Sequence, residues 1–315
     1  MNQTEKLENI DIDSFIDEYL SYLSFEKNYA KNTIESYSRD LAQWADYLEK
    51  AELNFLTISQ KQLTGFLAEC LEKRNLEKIS LARKTASIKS FYKYLEIKGH
   101  LAKNLLKDVK APKYRRKLPR PVRPLDMEAF LEDETGQNKL IQIRDSALWE
   151  LMYSSGMRIS EILSLNVWDV FDSENRIYEE IKITGKGSKE RIVFIGKTAA
   201  LNLKKYYDAR KVLQKDINEE ALFLNQKGGR LTRRGAAYIM RKRKNILKID
   251  AEFTPHSMRH SFATDLMNGG ADIRMVQDML GHQSISTTQN YTAVAKEALQ
   301  SAFRDCHPHA KKENK

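Results

Sequence analysis

Thr254-Pro255-His256-Ser257-Met258-Arg259-His260, with Leu280-Gly281-His282-Gln283-Ser284-Ile285-Ser286-Thr287-Thr288-Gln289-Asn290-Tyr291-Thr292 downstream, decides how the rest of the chain is read. Thr254 can cap a helix whose first residue is Pro255, which puts His256 and Arg259 one turn apart on one face. Ile273 to Leu280 reads as a further helix stopped by Gly281. Ser284 to Thr288 offer caps for the next helix, which carries Tyr291. These residue types suit chemistry at an anionic phosphodiester. Arginine forks offset the charge of the transition state, and a base and an acid serve the attacking and leaving oxygens. Tyrosine as nucleophile leaves a covalent phosphotyrosine that keeps the bond energy. Each residue alone has an ordinary reading as well: a surface pair, half-buried packing, or a cation at a helix end. A metal held by His256, His260 and His282 fits poorly, because no glutamate follows His256 as the helical zinc pattern requires.

Two more elements lie upstream in order. Gly156-Met157-Arg158-Ile159-Ser160-Glu161 puts an arginine at the start of an apolar-faced helix, where free N–H groups favour phosphate; Glu161 could buttress Arg158 or cap the helix. Thr184-Gly185-Lys186-Gly187-Ser188-Lys189-Glu190-Arg191 reads as the tip of a β-hairpin, between Ile177, Ile181 and Ile183 on one side and Ile192 to Ile195 on the other. Taken together, the five motifs resemble the tyrosine recombinase family of site-specific DNA recombinases, and within it the Xer branch, most like its XerC type. The tail Asp305 to Lys312 is similar to the end of that type, but His309 stands where an arginine is usual. Ala293 replaces a histidine often found two residues after the nucleophile.

The resemblance implies that Arg158 and Arg259 hold the scissile phosphate and that His282 adds a hydrogen bond. It makes His256 the general base, Lys186 the general acid for the leaving 5′ oxygen, and Tyr291 the nucleophile forming a 3′-phosphotyrosine. Strand exchange would run in two pairs through a Holliday junction, without metal, nucleotide or other cofactor. The implied partners are double-stranded DNA at a specific recombination site, a second Xer recombinase in a tetramer on two DNA sites, and a septal DNA translocase. The implied task is resolving chromosome dimers at cell division. A phage or mobile-element integrase would share the active site, although no arm-binding domain precedes Ile12. A type IB topoisomerase would use similar residues, and a catalytically silent architectural DNA-binding protein would have no need of Lys186 or Tyr291.

Composition agrees. The 315 residues suffice for two domains with real cores, and a net charge of +10 suits a polyanionic partner. Two cysteines, Cys70 and Cys306, without metal-ligand spacing suit a reducing, cytoplasmic setting; no apolar run is long enough for membrane insertion, and the N-terminus is unlike a signal peptide.

The expected fold is mainly α with a small β-sheet. A helical, SAM-like core-binding bundle is expected over residues 10–103 and a basic, proline-rich linker over 104–124. An α+β catalytic domain would fill 125–304, ahead of a basic tail over 305–315. In the bundle, apolar residues recur at helical spacing: Phe15, Ile16, Tyr19, Leu20 and Leu23, then Ile34, Tyr37, Leu41, Trp44 and Leu48. Asn32 with Glu35 reads as a capping pair for the second helix, Ser59 as the start of a third, and Ser80 as the opening of a fourth. Candidate DNA contacts are Lys31, Asn32, Arg39, Arg83 and Lys84 here, and Arg233, Arg234, Arg241 and Arg243 on a basic helix of the second domain. A short amphipathic helix from Ala295 to Phe303 could close its own domain; the resemblance implies instead that it docks on a neighbouring subunit.

Overall fold

Large apolar side chains at helical spacing, interrupted by short polar turns, build the first of two units. The computed structural model describes residues 11–74, 78–110, 122–133, 138–184, 190–250, 253–281 and 293–311. It divides into Met1–Lys117 and Leu118–Lys315.

The first unit holds α1 (Ile12–Phe25), α2 (Lys31–Lys50), α3 (Gln60–Arg74) and α4 (Lys78–Ile97). Asp11 caps α1, its side chain accepting from the Asp13 N–H. Trp44, Phe66, Phe91 and Tyr92 are buried at the centre with Tyr19, Leu41 and Leu63. Burying an indole and a phenol requires partners for their polar atoms. Trp44 Nε1 donates to Tyr92 Oη (3.3 Å), and Tyr92 Oη donates to the Phe55 carbonyl (2.8 Å). The Asn32 capping expectation is corrected: α2 starts at Lys31 after Ala30, with no side-chain cap. Asn28 takes a positive φ of 51°, which turns the chain early and leaves Asn32 inside the first turn. Ser59 does lead into α3, bonding Gln62 through its N–H and hydroxyl. α4 begins ahead of Ser80. The linker residues 111–121 lie outside the described residues.

In the second unit, Pro124 supplies the pre-set φ that opens α5 (Pro124–Glu132). Asn138 caps α6 (Lys139–Ser155), which is buried over its C-terminal half and packs along α8 (Lys197–Leu213). Between them come α7 (Ile159–Ser164) and an antiparallel pair, β1 (Glu180–Thr184) and β2 (Glu190–Phe194), with Ile183 opposite Arg191. Then follow α9 (Arg233–Ile246), α10 (Pro255–Asn268), α11 (Ile273–Leu280), α12 (Ala293–Cys306) and α13 (Pro308–Lys311). Phe130 stacks on Phe253 at 4.2 Å and Tyr206 on Phe223 at 5.3 Å in the main core. Among the described residues no helix is long and apolar enough to cross a membrane.

At the C-terminus the apolar stripe of α12 packs within its own domain, the first of the two readings open for it: Leu299 and Phe303 are buried against Phe194, Phe262 and Val276. Of the residues expected as a basic tail, 305–311 belong to helices α12 and α13 or the turn between them. His307 and His309 are buried, and His309 Nδ1 lies 2.7 Å from Glu150 Oε1 on α6. The imidazole finds a carboxylate partner inside the domain, which a solvated basic tail would not need.

Candidate active site

α6 ends at Gly156, whose φ of +60° turns the chain sharply towards α7. A Cβ there would sit 2.4 Å from the Phe262 ring, so glycine serves both the left-handed backbone and the close approach. Arg158 is the N-cap of α7 and is exposed. Its main-chain N–H donates to Glu161 Oε2 (2.7 Å) and its Nη1 to Glu161 Oε1 (2.9 Å). Glu161 therefore both caps the helix and buttresses the arginine.

Glu161 has a second cation. Arg191, on β2, donates Nη1 to Oε1 (3.0 Å) and Nη2 to Oε2 (2.6 Å). Burial alone would push the Glu161 carboxyl up; the bonds and charge of Arg191, then the Arg158 bonds, outweigh it and hold the group down at about 2.

α10 opens as its sequence suggests. Thr254 Oγ1 accepts from the Ser257 N–H (3.1 Å) and Ser257 Oγ from the Thr254 N–H (2.7 Å), with Pro255 at the first helical position. This fixes the entry angle and leaves His256 exposed in the first turn, one turn from buried Arg259. Arg259 Nη1 donates to the Gly156 carbonyl (2.6 Å) and Nη2 to the Leu280 carbonyl. Two carbonyls from different elements fix the plane of the fork. Burial first, then repulsion from Arg158 and Arg191, pulls the Arg259 guanidinium down to about 10, so it stays charged at neutral pH. Cations crowded this way favour an arriving anion.

α11 ends at Gly281, with φ +64°, as the sequence indicates. Its last carbonyls, the negative end of the helix, take arginines: Met279 accepts from Arg191 Nε (3.2 Å), and Leu280 accepts from Arg259. Arg158, His256 and Arg259 thus come from helix starts and first turns linked by one hydrogen-bond network. Lys186, His282 and Tyr291 lie outside the described residues. The strands flanking Lys186 and the helix ending before His282 meet this network through Arg191 and Gly281.

Two DNA-contact candidates are corrected. Lys84 is buried, its Nζ on Asp40 Oδ1 (2.9 Å) and Gln43 Oε1 (2.8 Å), so its charge answers a buried carboxylate. Arg243 is buried on Asp133 (2.8 Å) and over the Phe130 ring at 5.3 Å. Both sit at positions where the helix faces its own core. Lys31, Asn32 and Arg39 on α2 are exposed, as is Arg83, although Arg83 also bonds Asp40 and the Ser36 carbonyl. Arg233, Arg234 and Arg241 are exposed on α9, with Tyr238 on the same stripe as Arg234 and Arg241. Arg191 was assigned no role from the sequence; the one signal was its place in the hairpin motif.

The family model "Phage integrase family" matches residues 125–298, and "Phage integrase, N-terminal SAM-like domain" matches 16–99. Tyrosine recombinase XerC of Leptospira interrogans is 38% identical over 295 residues, 93% of each chain. Tyrosine recombinase XerD of Staphylococcus epidermidis is 38% identical over 305 residues, 95% of this chain and all of the relative. Among solved structures, the XerH site-specific recombinase bound to palindromic difH substrate, a post-cleavage complex, shares the fold with TM-score 0.64 and 27% identity, covering 88% of this chain and 81% of that one. The family models span both units and the relatives nearly the whole length: the chain belongs to the phage integrase family of tyrosine recombinases.

Proposed function

We propose that the chain cuts and rejoins duplex DNA at a specific site through a 3′-phosphotyrosine, with Arg158, Lys186, His256, Arg259, His282 and Tyr291 as its working set. The observation that carries the reading is the arginine pair. Arg259 is fixed by carbonyls of Gly156 and Leu280 beside an exposed Arg158 held by Glu161. Two guanidinium groups in one corner, one buried and one open to solvent, suit the non-bridging oxygens of a phosphodiester.

In the proposed step the Tyr291 hydroxyl oxygen attacks phosphorus and its proton passes to His256. The bond to the 5′ oxygen breaks, and Lys186 gives that oxygen a proton. Arg158, Arg259 and His282 bond the non-bridging oxygens. Attack by a 5′ hydroxyl from the partner strand reverses these steps, so the bond energy is kept and no nucleotide is consumed. The exposed basic residues of α2 and α9, and Arg83 on α4, supply sequence-independent phosphate contacts.

The finer reading is a Xer recombinase working in the cytoplasm beside a second recombinase, four protomers on two sites, resolving chromosome dimers with a septal DNA translocase. Its support is the Xer name shared by relatives along nearly the full chain.

A nicked suicide substrate carrying the host chromosome's candidate recombination site tests the core of this. Wild type should give a denaturation-resistant protein–DNA adduct without added metal, and Tyr291→Phe should give none. Adducts on single-site supercoiled DNA accompanied by relaxation would point to a topoisomerase. Tight binding with no adduct, even with the second recombinase added, would mark a silent binder.

A further inference from the structure

Arg191 is a buried cation of the second unit whose whole fork is engaged, and it is none of the six working residues. It is 5% exposed, and all its described bonds run to pieces of the candidate site. Nη1 and Nη2 take the two oxygens of Glu161, and Nε takes the Met279 carbonyl. Its stem lies against Gly281, where a Cβ would come 2.9 Å from Arg191 Cδ. One side chain on β2 therefore joins the start of α7 to the end of α11. The Leu280 carbonyl, next to its own acceptor, holds Arg259.

The charges matter as much as the bonds. Arg158 and Glu161 alone would cancel, because a buried carboxylate with one cation draws that cation's field onto itself. A second guanidinium on the same carboxylate leaves the trio with a net positive charge. The Arg158 fork can then serve an incoming phosphate while Glu161 fixes only its orientation. We propose that Arg191 is a positioning residue for phosphate activation: it satisfies Glu161 so that Arg158 remains available to the scissile phosphate, and it locks α11 into the same frame. This rests on the recombinase reading of the site.

The test compares two nicked substrates, one with an ordinary scissile phosphate and one with a methylphosphonate, whose neutral phosphorus centre has less need of a cation. Adduct formation is timed for full-length wild type, Arg191→Ala and Arg191→Lys, with DNA affinity followed by gel shift. On the phosphate substrate Arg191→Ala should slow by about 100-fold, the scale for losing one preorganised electrostatic contact, with affinity changed less than about 3-fold. On the methylphosphonate its deficit against wild type should shrink to below about 10-fold, since the missing charge no longer matters. Arg191→Lys keeps a cation but not the bidentate fork, so it should fall between the two and show the same selective recovery. A merely structural role would lower both substrates alike.

Equal losses on the two substrates, or a wild-type rate on phosphate, would overturn the proposal. If Arg191→Ala does not fold, the ratio measured within Arg191→Lys decides in the same way. Absence of any wild-type adduct, with the second recombinase added, would instead overturn the recombinase reading; wild-type cleavage with non-selective losses would overturn this inference alone.

Discussion

Gly156→Ala should damage stability and site together, and the size of the effect follows from the backbone and one ring. At φ +60° an L side chain carries roughly 1–2 kcal/mol of strain. The new Cβ would stand 2.4, 2.6 and 3.0 Å from three atoms of the Phe262 ring, well inside carbon–carbon contact at about 3.5 Å, so ring or backbone must move by about 1 Å. Phe262 is 1% exposed and has little room to retreat. Overpacking of this kind costs about 1–3 kcal/mol, giving roughly 2–5 kcal/mol in all. Gly270→Ala is the open-space control: φ is +96° there, further from the left-handed well than +60°, but nothing lies within 4 Å of its Cβ, so only backbone strain is added and it bounds that at Gly156 from above. Urea denaturation of both variants, followed by tryptophan fluorescence, gives the two costs, and any excess at Gly156 is a lower bound on the clash. Because the Gly156 carbonyl holds Arg259, Gly156→Ala should also lose adduct formation under conditions where it remains folded. A Gly156→Ala cost below about 0.5 kcal/mol would refute the packing argument.

Two more outcomes follow from buried charges. Lys84→Met should destabilise the first unit by about 3 kcal/mol in urea, because Asp40 stays buried with one cation fewer. Unchanged stability with a shallower salt dependence of DNA binding would instead make Lys84 a phosphate contact. The Glu161 carboxyl, lowered from 4.5 to about 2, contributes roughly 3 kcal/mol that is fully present above about pH 4.5 and is lost as pH falls towards 2. The stability gap between wild type and Glu161→Gln should therefore narrow by about 2 kcal/mol between pH 6 and pH 3, measured by urea midpoints; a constant gap would show that ionised Glu161 is not the source.

What the sequence made legible is what depends on neighbours in the chain. The Thr254–Ser257 capping box, Pro255, the Gly156 and Gly281 stops and the β1–β2 pair are local arrangements, and spacing alone points to them. The misses depend on partners far along the chain. Lys84 meets Asp40, Arg243 meets Asp133, and His309 meets Glu150, each across a sequence separation that no periodicity encodes. A basic residue on an amphipathic helix reads as solvated until a carboxylate from elsewhere is found beneath it. The same blindness explains Arg191, whose three bonds run to residues 161 and 279.

Those long-range bonds also explain why the arginines can be both buried and rigid. A guanidinium in the interior must find acceptors or lose more in desolvation than it gains. Here the acceptors are main-chain carbonyls at the ends of α6 and α11, groups that helix geometry leaves without partners of their own. Each unmet need answers the other: helix ends obtain donors, and cations obtain a fixed plane without a carboxylate that would cancel them. Glu161 is the exception, and it is shared between two arginines rather than given to one. The corner therefore keeps its positive charge while remaining well ordered, and an anion with several oxygens suits it better than any single carboxylate. A site assembled mainly from side-chain ion pairs would be equally ordered but electrically neutral, and would have little left to offer a phosphodiester.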